Sequence, residues 1–297
     1  MVQVTRREAI LLSLGSAALP QVRRSNESPQ VQKEQRKSVS EAATRDNSKV
    51  RWKPEPVFPG SPVLFRSTTV SGPASWLGRK IEFRPDEDGF TALAGVNLDR
   101  APGLYPVSFG EEIAQVTVAR HAYPSSTITV PKRFVEPPKE VRNRIREEIL
   151  IKRSVFESSV PERLWQGAFV APADTRYTSS FGSRRVYNGK IKSVHQGIDY
   201  SADLGTQVAA ANSGRVAIAR QFYFEGGFIV IDHGESIFTL YMHLSEFMVK
   251  EGTSVGKGVP IAKSGSTGRV TAPHLHFGVQ WQGYYLEPST LLGLWQR

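Results

Sequence analysis

Five of the six histidines in this sequence fall in its C-terminal half, and their spacing matters more than their number. His195-Gln196-Gly197-Ile198-Asp199 is an H-x-x-x-D element, and His274-Leu275-His276 is an H-x-H element. Alternate residues of a β-strand share a face. His274 and His276 therefore project together, with Cα atoms about 7 Å apart, while Leu275 and Phe277 face a core. By the same alternation Tyr241 and His243 share one face of the run 238–243, and Leu240 and Met242 the other. Two imidazoles and one carboxylate make a catalytic zinc set of three protein ligands, with the fourth position left to water. Only one member of H-x-H need bind the metal. The other, one strand step away, is placed for acid–base work. Singly, these elements have plainer explanations: an exposed pair of strand histidines and a hydrogen-bonded loop. With a third strand histidine beside them, they point to a site.

The segments that carry these histidines read as strands. From Trp165 onward the sequence is β-rich and punctuated by glycine. Runs 207–210 and 215–218 flank Asn212-Ser213-Gly214 and predict a hairpin. Runs 228–231 and 238–243 predict the next strand pair, and 259–262 and 274–279 follow. No helix of normal length fits in this half. Upstream, short strand-like runs at 63–65, 80–83, 90–93 and 113–118 alternate with turn signals such as Pro59-Gly60 and Gly72-Pro73, which predicts a small β-sandwich. It contains no catalytic constellation, and His121 reads as an ordinary surface or packed histidine. After Pro137-Pro138, Val141, Ile145, Ile149 and Phe156 recur at helical spacing. The other faces of that helix carry Arg142, Arg144, Arg146, Lys152 and Arg153, so it reads as a solvated connector packing its stripe between two domains.

The N-terminus has the form of an export signal over residues 1–20, and Thr5-Arg6-Arg7-Glu8-Ala9-Ile10-Leu11 resembles a twin-arginine signal in part, Ala9 standing where a bulkier apolar residue is common. Arg6-Arg7 precede a short apolar run at 9–19, with Ser16, Ala17 and Ala18 near its end. Residues 21–51 read as a disordered tether, too poor in apolar side chains to offset their ordering entropy. The longest apolar run is shorter than the roughly 20 residues that span a bilayer, which excludes a polytopic membrane protein, and no stable membrane insertion is expected. There is no cysteine, so thiolate nucleophiles and cysteine zinc fingers are excluded and a metal site must use His, Asp and Glu. The formal charge of +10 suits nucleic acid, anionic lipid or an anionic wall polymer. No nucleic-acid-binding motif surrounds the arginines, and no nucleic-acid partner is expected.

Several motifs in order carry a family resemblance. His195-Gln196-Gly197-Ile198-Asp199-Tyr200, Tyr241-Met242-His243-Leu244-Ser245 and Gly268-Arg269-Val270-Thr271-Ala272-Pro273-His274-Leu275-His276-Phe277 resemble the lysostaphin-type (LytM-type) zinc metallopeptidases over about 166–292. Ser180-Phe181-Gly182-Ser183-Arg184-Arg185 and Ile231-Asp232-His233-Gly234 extend the match. The resemblance implies a mainly β fold: an N-terminal Ig-like β-sandwich (52–135), a basic helical connector (136–164) and a C-terminal antiparallel β barrel or sandwich of the duplicated hybrid motif kind (165–297). It implies one zinc ion per chain on His195, Asp199 and His276, with His243 and His274 as catalytic histidines. The implied activity is that of an exported endopeptidase of the periplasm or cell envelope, in which a zinc-activated water cuts peptide bonds of peptidoglycan stem peptides or crosslinks. Arg184 or Arg185 would meet a stem-peptide carboxylate, and His233 would be structural. Two positions depart from the family pattern, Gly226-Gly227-Phe228 and Ala272, and neither is a ligand. A non-enzymatic wall-binding regulator or scaffold of the same fold is the alternative, and the five intact positions argue against it. A lipoyl- or biotinyl-type carrier would need a lysine where Ala211-Asn212-Ser213-Gly214 stands. The turn Gly265-Ser266-Thr267-Gly268 lacks the spacing and lysine of a phosphate loop.

Overall fold

The computed structural model of the chain describes residues 50–69 and 72–296, so the predicted signal and nearly all of the predicted tether lie outside the described residues. The last two tether positions are not tether. Val50 and Arg51 open the strand Val50–Lys53, which pairs antiparallel with Pro62–Ser67, and Val50 is buried.

The predicted sandwich is present as two four-stranded antiparallel sheets. One runs in the order Val50–Lys53, Pro62–Ser67, Gly89–Gly95, Arg84–Asp86, and the other Arg79–Ile81, Ala74–Trp76, Gly103–Phe109, Glu112–Val118. Apolar residues alternate inward along these strands, as Ala114, Val116 and Val118 do, and they close over Phe65 and Trp76. The predicted strand 80–83 breaks at Glu82, where the chain turns to begin Arg84–Asp86.

The sandwich does not keep its core to itself. Gly95 lies so close to Leu286 that a Cβ there would stand 2.4 Å from a Leu286 methyl carbon, and Glu287 N donates to Gly60 O. The sandwich core is continuous with Trp165, Trp281 and Leu291 of the C-terminal half. Residues 119–135 also leave the sandwich. The strand Ser125–Ile128 joins Arg184–Tyr187 in parallel within a three-stranded sheet completed by Ile191–Val194.

In the C-terminal half the main sheet runs Tyr177–Ser179, Ile198–Tyr200, Leu275–Trp281, Ile237–Leu244, Gly226–Asp232, Gly214–Phe222, Ser254–Val255, with Tyr284–Leu286 on Leu275–Trp281. A three-stranded sheet of Gln207–Ala209, Pro260–Lys263 and Glu246–Phe247 accompanies it, and Val208, Ile261 and Ala262 share a core with Ile229, Ile231, Tyr241 and Phe277. A second cluster of Ile218, Phe228, Val230, Phe238 and Leu240 is covered by Ile151, Val155 and Phe156 of the helix Arg142–Glu157. Strands buried on both faces read as continuous apolar runs rather than alternating ones, which accounts for Gly226–Asp232 and Leu275–Trp281 being buried throughout.

Two expectations change here. The predicted hairpin between 207–210 and 215–218 does not form. Gln207–Ala209 pairs with Pro260–Lys263 instead, and Gly214–Phe222 pairs with Gly226–Asp232, because Asn212 is buried and holds Gln166 N and the carbonyls of 166–168 rather than serving a two-strand turn. The helix is present, but its buried stripe is rotated from the one its spacing suggests. Ile149 is 43% exposed, whereas Glu148 is buried with Ile145. The polar partners that explain this lie in the turn at 223–225, described below.

Candidate metal centre

Three strands carry the site by register. Asp199 of Ile198–Tyr200 stands directly opposite His276 of Leu275–Trp281, and His276 stands opposite Met242 of Ile237–Leu244. Opposed residues share a face, so Asp199 and His276 are neighbours by construction. His195 enters just after Ile191–Val194 and is anchored by His195 N to Ser183 O (2.9 Å) and Gly182 N to His195 O (2.8 Å). Between His195 and Asp199, Gly197 passes so close to the facing strand that a Cβ would lie 2.4 Å from Phe277 O and 2.6 Å from His276 Nε2. The glycine of the H-x-x-x-D element is thus required for His195 and His276 to meet.

They meet at three atoms. His195 Nε2 lies 2.9 Å from Asp199 Oδ1 and 2.9 Å from His276 Nδ1, and His276 Nδ1 lies 2.8 Å from Asp199 Oδ1. Among the described residues, these three form the group able to hold a metal ion, and all are buried. His195 Nδ1 donates to Ser180 O at 2.9 Å. A carbonyl can only accept, so this bond turns the Nε2 lone pair toward the cluster. Arg185 donates to Asp199 Oδ2 at 2.8 Å, which leaves Oδ1 for the histidines. Burial raises the Asp199 pKa, but the ring nitrogens of His195 and His276 beside it outweigh burial and hold the carboxyl well below the usual carboxylate range. Burial pushes His276 down to about 4, the Asp199 bond only partly opposing it. An ionised carboxylate and neutral imidazoles are the protonation states a metal requires.

The two remaining histidines border this triangle. His274 Nε2 stands 3.8 Å from Asp199 Oδ1, and its Nδ1 donates to Ala272 O at 2.8 Å. The His243 ring lies 4.8 Å from that of His274 and 6.2 Å from that of His276. His243 Nδ1 donates to Thr267 O at 2.9 Å, so Nε2 is its free acceptor. Burial, with the charge of His274 added, pushes His243 well below the ordinary imidazole range.

His243 reaches this face by breaking strand alternation. Tyr241 packs its ring on Phe277 at 5.4 Å and takes a hydrogen bond from Ala211 N, on the core side. The expectation that His243 would share that face is corrected by a bulge. Between the pairs Ile229–Tyr241 and Gly227–Leu244, one strand advances two residues and its partner three, and His243 takes a φ of +67°. The extra residue reverses the side-chain sense, so His243 joins Met242 on the groove face. Gly226 and Gly227 make room for it: a Cβ on either would lie 2.3 Å from Thr267 Oγ1 or Leu244 O respectively. The Gly-Gly pair, noted only as a departure from the family pattern, was the signal in the sequence.

A groove of about 250 Å3 runs over these residues, and Ile128, Val130, Tyr187, Phe224, Arg269 and Lys152 line it beyond the histidines. Ile128, Val130 and Lys152 come from segments that carry no motif and were not expected at the site. Arg185 lies in the groove bound to Asp199. Arg184, next along the same strand, lines a different cleft with Arg100, Arg120 and His121. His121 packs between Phe58 and Tyr123, at ring distances of 5.0 and 4.5 Å. His233 lies outside the groove and is fully buried between Ser213 O (2.8 Å) and Thr239 Oγ1 (2.7 Å).

Comparison with known proteins places this geometry. The model of Peptidase family M23 matches residues 193–288. Two Vibrio cholerae proteins named peptidoglycan DD-endopeptidase are similar. ShyA is 39% identical over 109 residues, covering 36% of this chain and 25% of that protein. ShyC is 39% identical over 133 residues, covering 43% of this chain and 30% of that protein. The chain thus spans between a quarter and a third of the length of these relatives. A solved Pseudomonas aeruginosa structure described as a peptidase M23 superposes with a TM-score of 0.64 at 23% identity, over 82% of this chain and 96% of that one. It shares the fold of both halves. The segment 193–288, which carries the three converging donors and both flanking histidines, belongs to peptidase family M23, the lysostaphin-type (LytM-type) metallopeptidases.

Proposed function

We propose that the protein is a zinc-dependent endopeptidase of the cell envelope that hydrolyses peptide bonds in peptidoglycan stem peptides or crosslinks. The observation that carries this is the triangle of His195 Nε2, Asp199 Oδ1 and His276 Nδ1 with two further imidazoles at its rim. Two nitrogens and one ionised oxygen suit zinc, and the triangle's edges are about half an ångström shorter than the about 3.3–3.5 Å that bonds of about 2.0–2.2 Å require in a tetrahedron. Zinc bound there supplies Lewis acidity toward water and toward a carbonyl.

The chain's own residues do the rest. Asp199, oriented by Arg185, and His195, oriented by Ser180 O, fix the donor geometry. His243 and His274 each commit Nδ1 to a carbonyl, which leaves Nε2 of each to take a proton from water or to hydrogen-bond the oxygen and leaving amine of the cleaved bond. Ile128, Val130 and Phe224, which belong to one apolar cluster, give the groove an apolar wall. The names of the Vibrio cholerae relatives favour peptidoglycan as substrate and an envelope location. Digestion of purified peptidoglycan, read by mass spectrometry with added zinc and with chelator, tests the proposal. Zinc-dependent release of cleaved muropeptides is expected. Intact crosslinks with zinc-loaded protein at neutral pH would favour the wall-binding scaffold.

A further inference from the structure

The connector helix does more than join two sheets. Its face toward the main sheet carries two charged residues among apolar ones, and both reach the turn at 223–225, between Gly214–Phe222 and Gly226–Asp232. Glu148 is buried, and both of its carboxylate oxygens accept from Tyr223 N, at 2.9 and 3.0 Å. Arg144, one helical turn before it, pairs with Glu148 at 2.7 Å and donates to Gln221 O. Lys152, one turn after, donates to the buried Glu225 carboxylate. On the far side, Tyr223 donates from its hydroxyl to Arg133 O, and Phe134 packs on the rings of Tyr223 and Phe224 at 5.5 and 6.4 Å. A three-residue turn held from two directions by charged hydrogen bonds and aromatic packing is not a free loop tip.

The same turn holds His243. Glu225 O accepts from His243 N at 2.8 Å, and Phe224 O accepts from Arg269 N at 2.8 Å. That second bond fixes the loop whose Thr267 O holds His243 Nδ1, and Thr267 Oγ1 in turn accepts from Gly227 N. His243 sits in a bulge at positive φ, a conformation that persists only where its surroundings enforce it. We propose that the connector helix is a positioning device for His243. Glu148 and Lys152 clamp the turn at 223–225, and the clamped turn fixes the backbone and ring of that histidine. Glu148 and Lys152 are positioning residues, outside the segment that matches the peptidase family. This inference rests on the metallopeptidase reading for its kinetic consequence but not for its structural one.

The test uses the full chain, loaded with zinc, on crosslinked muropeptides. Lys152→Met should lower kcat about tenfold or more with KM within twofold of the parent and zinc content unchanged, since small misplacements of a reacting group cost rate rather than binding. Lys152→Arg should restore most of it. Lys152→Met leaves the Glu225 charge buried, so the double variant Lys152→Met/Glu225→Gln removes both charges at nearly constant volume and should show the same kcat loss in a folded, zinc-loaded protein. The amide of His243 should exchange its hydrogen faster in both variants. A folded double variant with kcat within twofold of the parent would overturn the proposal. So would a rise in KM at constant kcat, which marks a substrate anchor, or a kcat loss matched by loss of zinc, which marks a general structural role. A parent without hydrolysis defeats the enzyme reading alone, and the amide exchange at His243 still decides whether the helix holds the turn.

Discussion

His233 and His276 are both buried in the C-terminal half, and in both burial pushes the imidazole down to about 4. Their partners differ. His233 spends its nitrogens on a carbonyl and a hydroxyl, with the Phe169 ring edge-on at 5.3 Å, so every contact is neutral. His276 turns Nδ1 toward a carboxylate and a second imidazole nitrogen, with two more imidazoles nearby. Neutral, satisfied partners make a buried histidine a strut between Ser213 and Thr239. A carboxylate and a second imidazole gather lone pairs at one point, which suits a cation. The depressed pKa is common to both residues, so it does not by itself mark the site.

The largest effect should come from breaking the cluster. His195→Ala or His276→Ala should lose bound zinc and reduce peptidoglycan hydrolysis to background, while His233→Gln keeps its zinc. Metal analysis of the purified variants checks this, and full zinc occupancy in both alanine variants would remove the ligand assignment. Next come the rim histidines. His243→Ala and His274→Ala should keep zinc and fold while losing about 10²-fold in rate, the usual contribution of a positioned acid–base group. Loss of zinc in either variant would move that residue from the rim into the ligand set. Smaller again is Arg185→Ala. Its guanidinium donates to Asp199 Oδ2, and partners of that kind tune metal affinity by about 10–100-fold. A competition titration against a zinc chelator reads it, and an unchanged affinity would return Arg185 to the pool of substrate-facing arginines.

The same contrast explains what was legible in the sequence. The convergence of H-x-x-x-D and H-x-H was, because both are local spacings and the strand period puts His274 and His276 on one face, but the choice of His276 over His274 came from the family resemblance. His233 was set aside only through the family resemblance, since nothing local separates Ile231-Asp232-His233-Gly234 from a ligand motif. The sandwich and the connector were legible from turn residues and helical spacing. What was not legible depends on pairing between distant segments. The side of the strand on which His243 falls is decided by a bulge against Gly226–Asp232. The partner of Gln207–Ala209 lies more than fifty residues away. The partners of Glu148 and Lys152 lie in a turn more than seventy residues on. Periodicity along one segment carries no information about which other segment it will face.

The smallest effect on turnover, and the one that isolates burial from site chemistry, is the pH dependence of stability set by His233. Its folded pKa of about 4 lies below the ordinary imidazole value of 6.5, so between those two values the unfolded chain binds more protons than the folded one. Stability from this residue is therefore present in full above about pH 6.5 and is lost as pH falls toward 4. At 1.36 kcal/mol per pKa unit the loss amounts to about 3 kcal/mol. His276 has a similar folded value, so the parent's curve contains both contributions. Chemical denaturation in chelator at pH 7, 5.5 and 4 separates them. Across that range the parent should lose about 3 kcal/mol more than His233→Gln, whose side chain does not titrate, while peptidoglycan hydrolysis at pH 7 is similar in the two zinc-loaded proteins. Parallel stability curves would mean that His233 takes up its proton at the same pH in the folded and unfolded states, so that below about pH 6.5 the hydroxyl of Thr239 and the carbonyl of Ser213 would have to accept from an imidazolium. The strut would in that case be a buried charge, and the contrast with His276 would rest on the carboxylate alone.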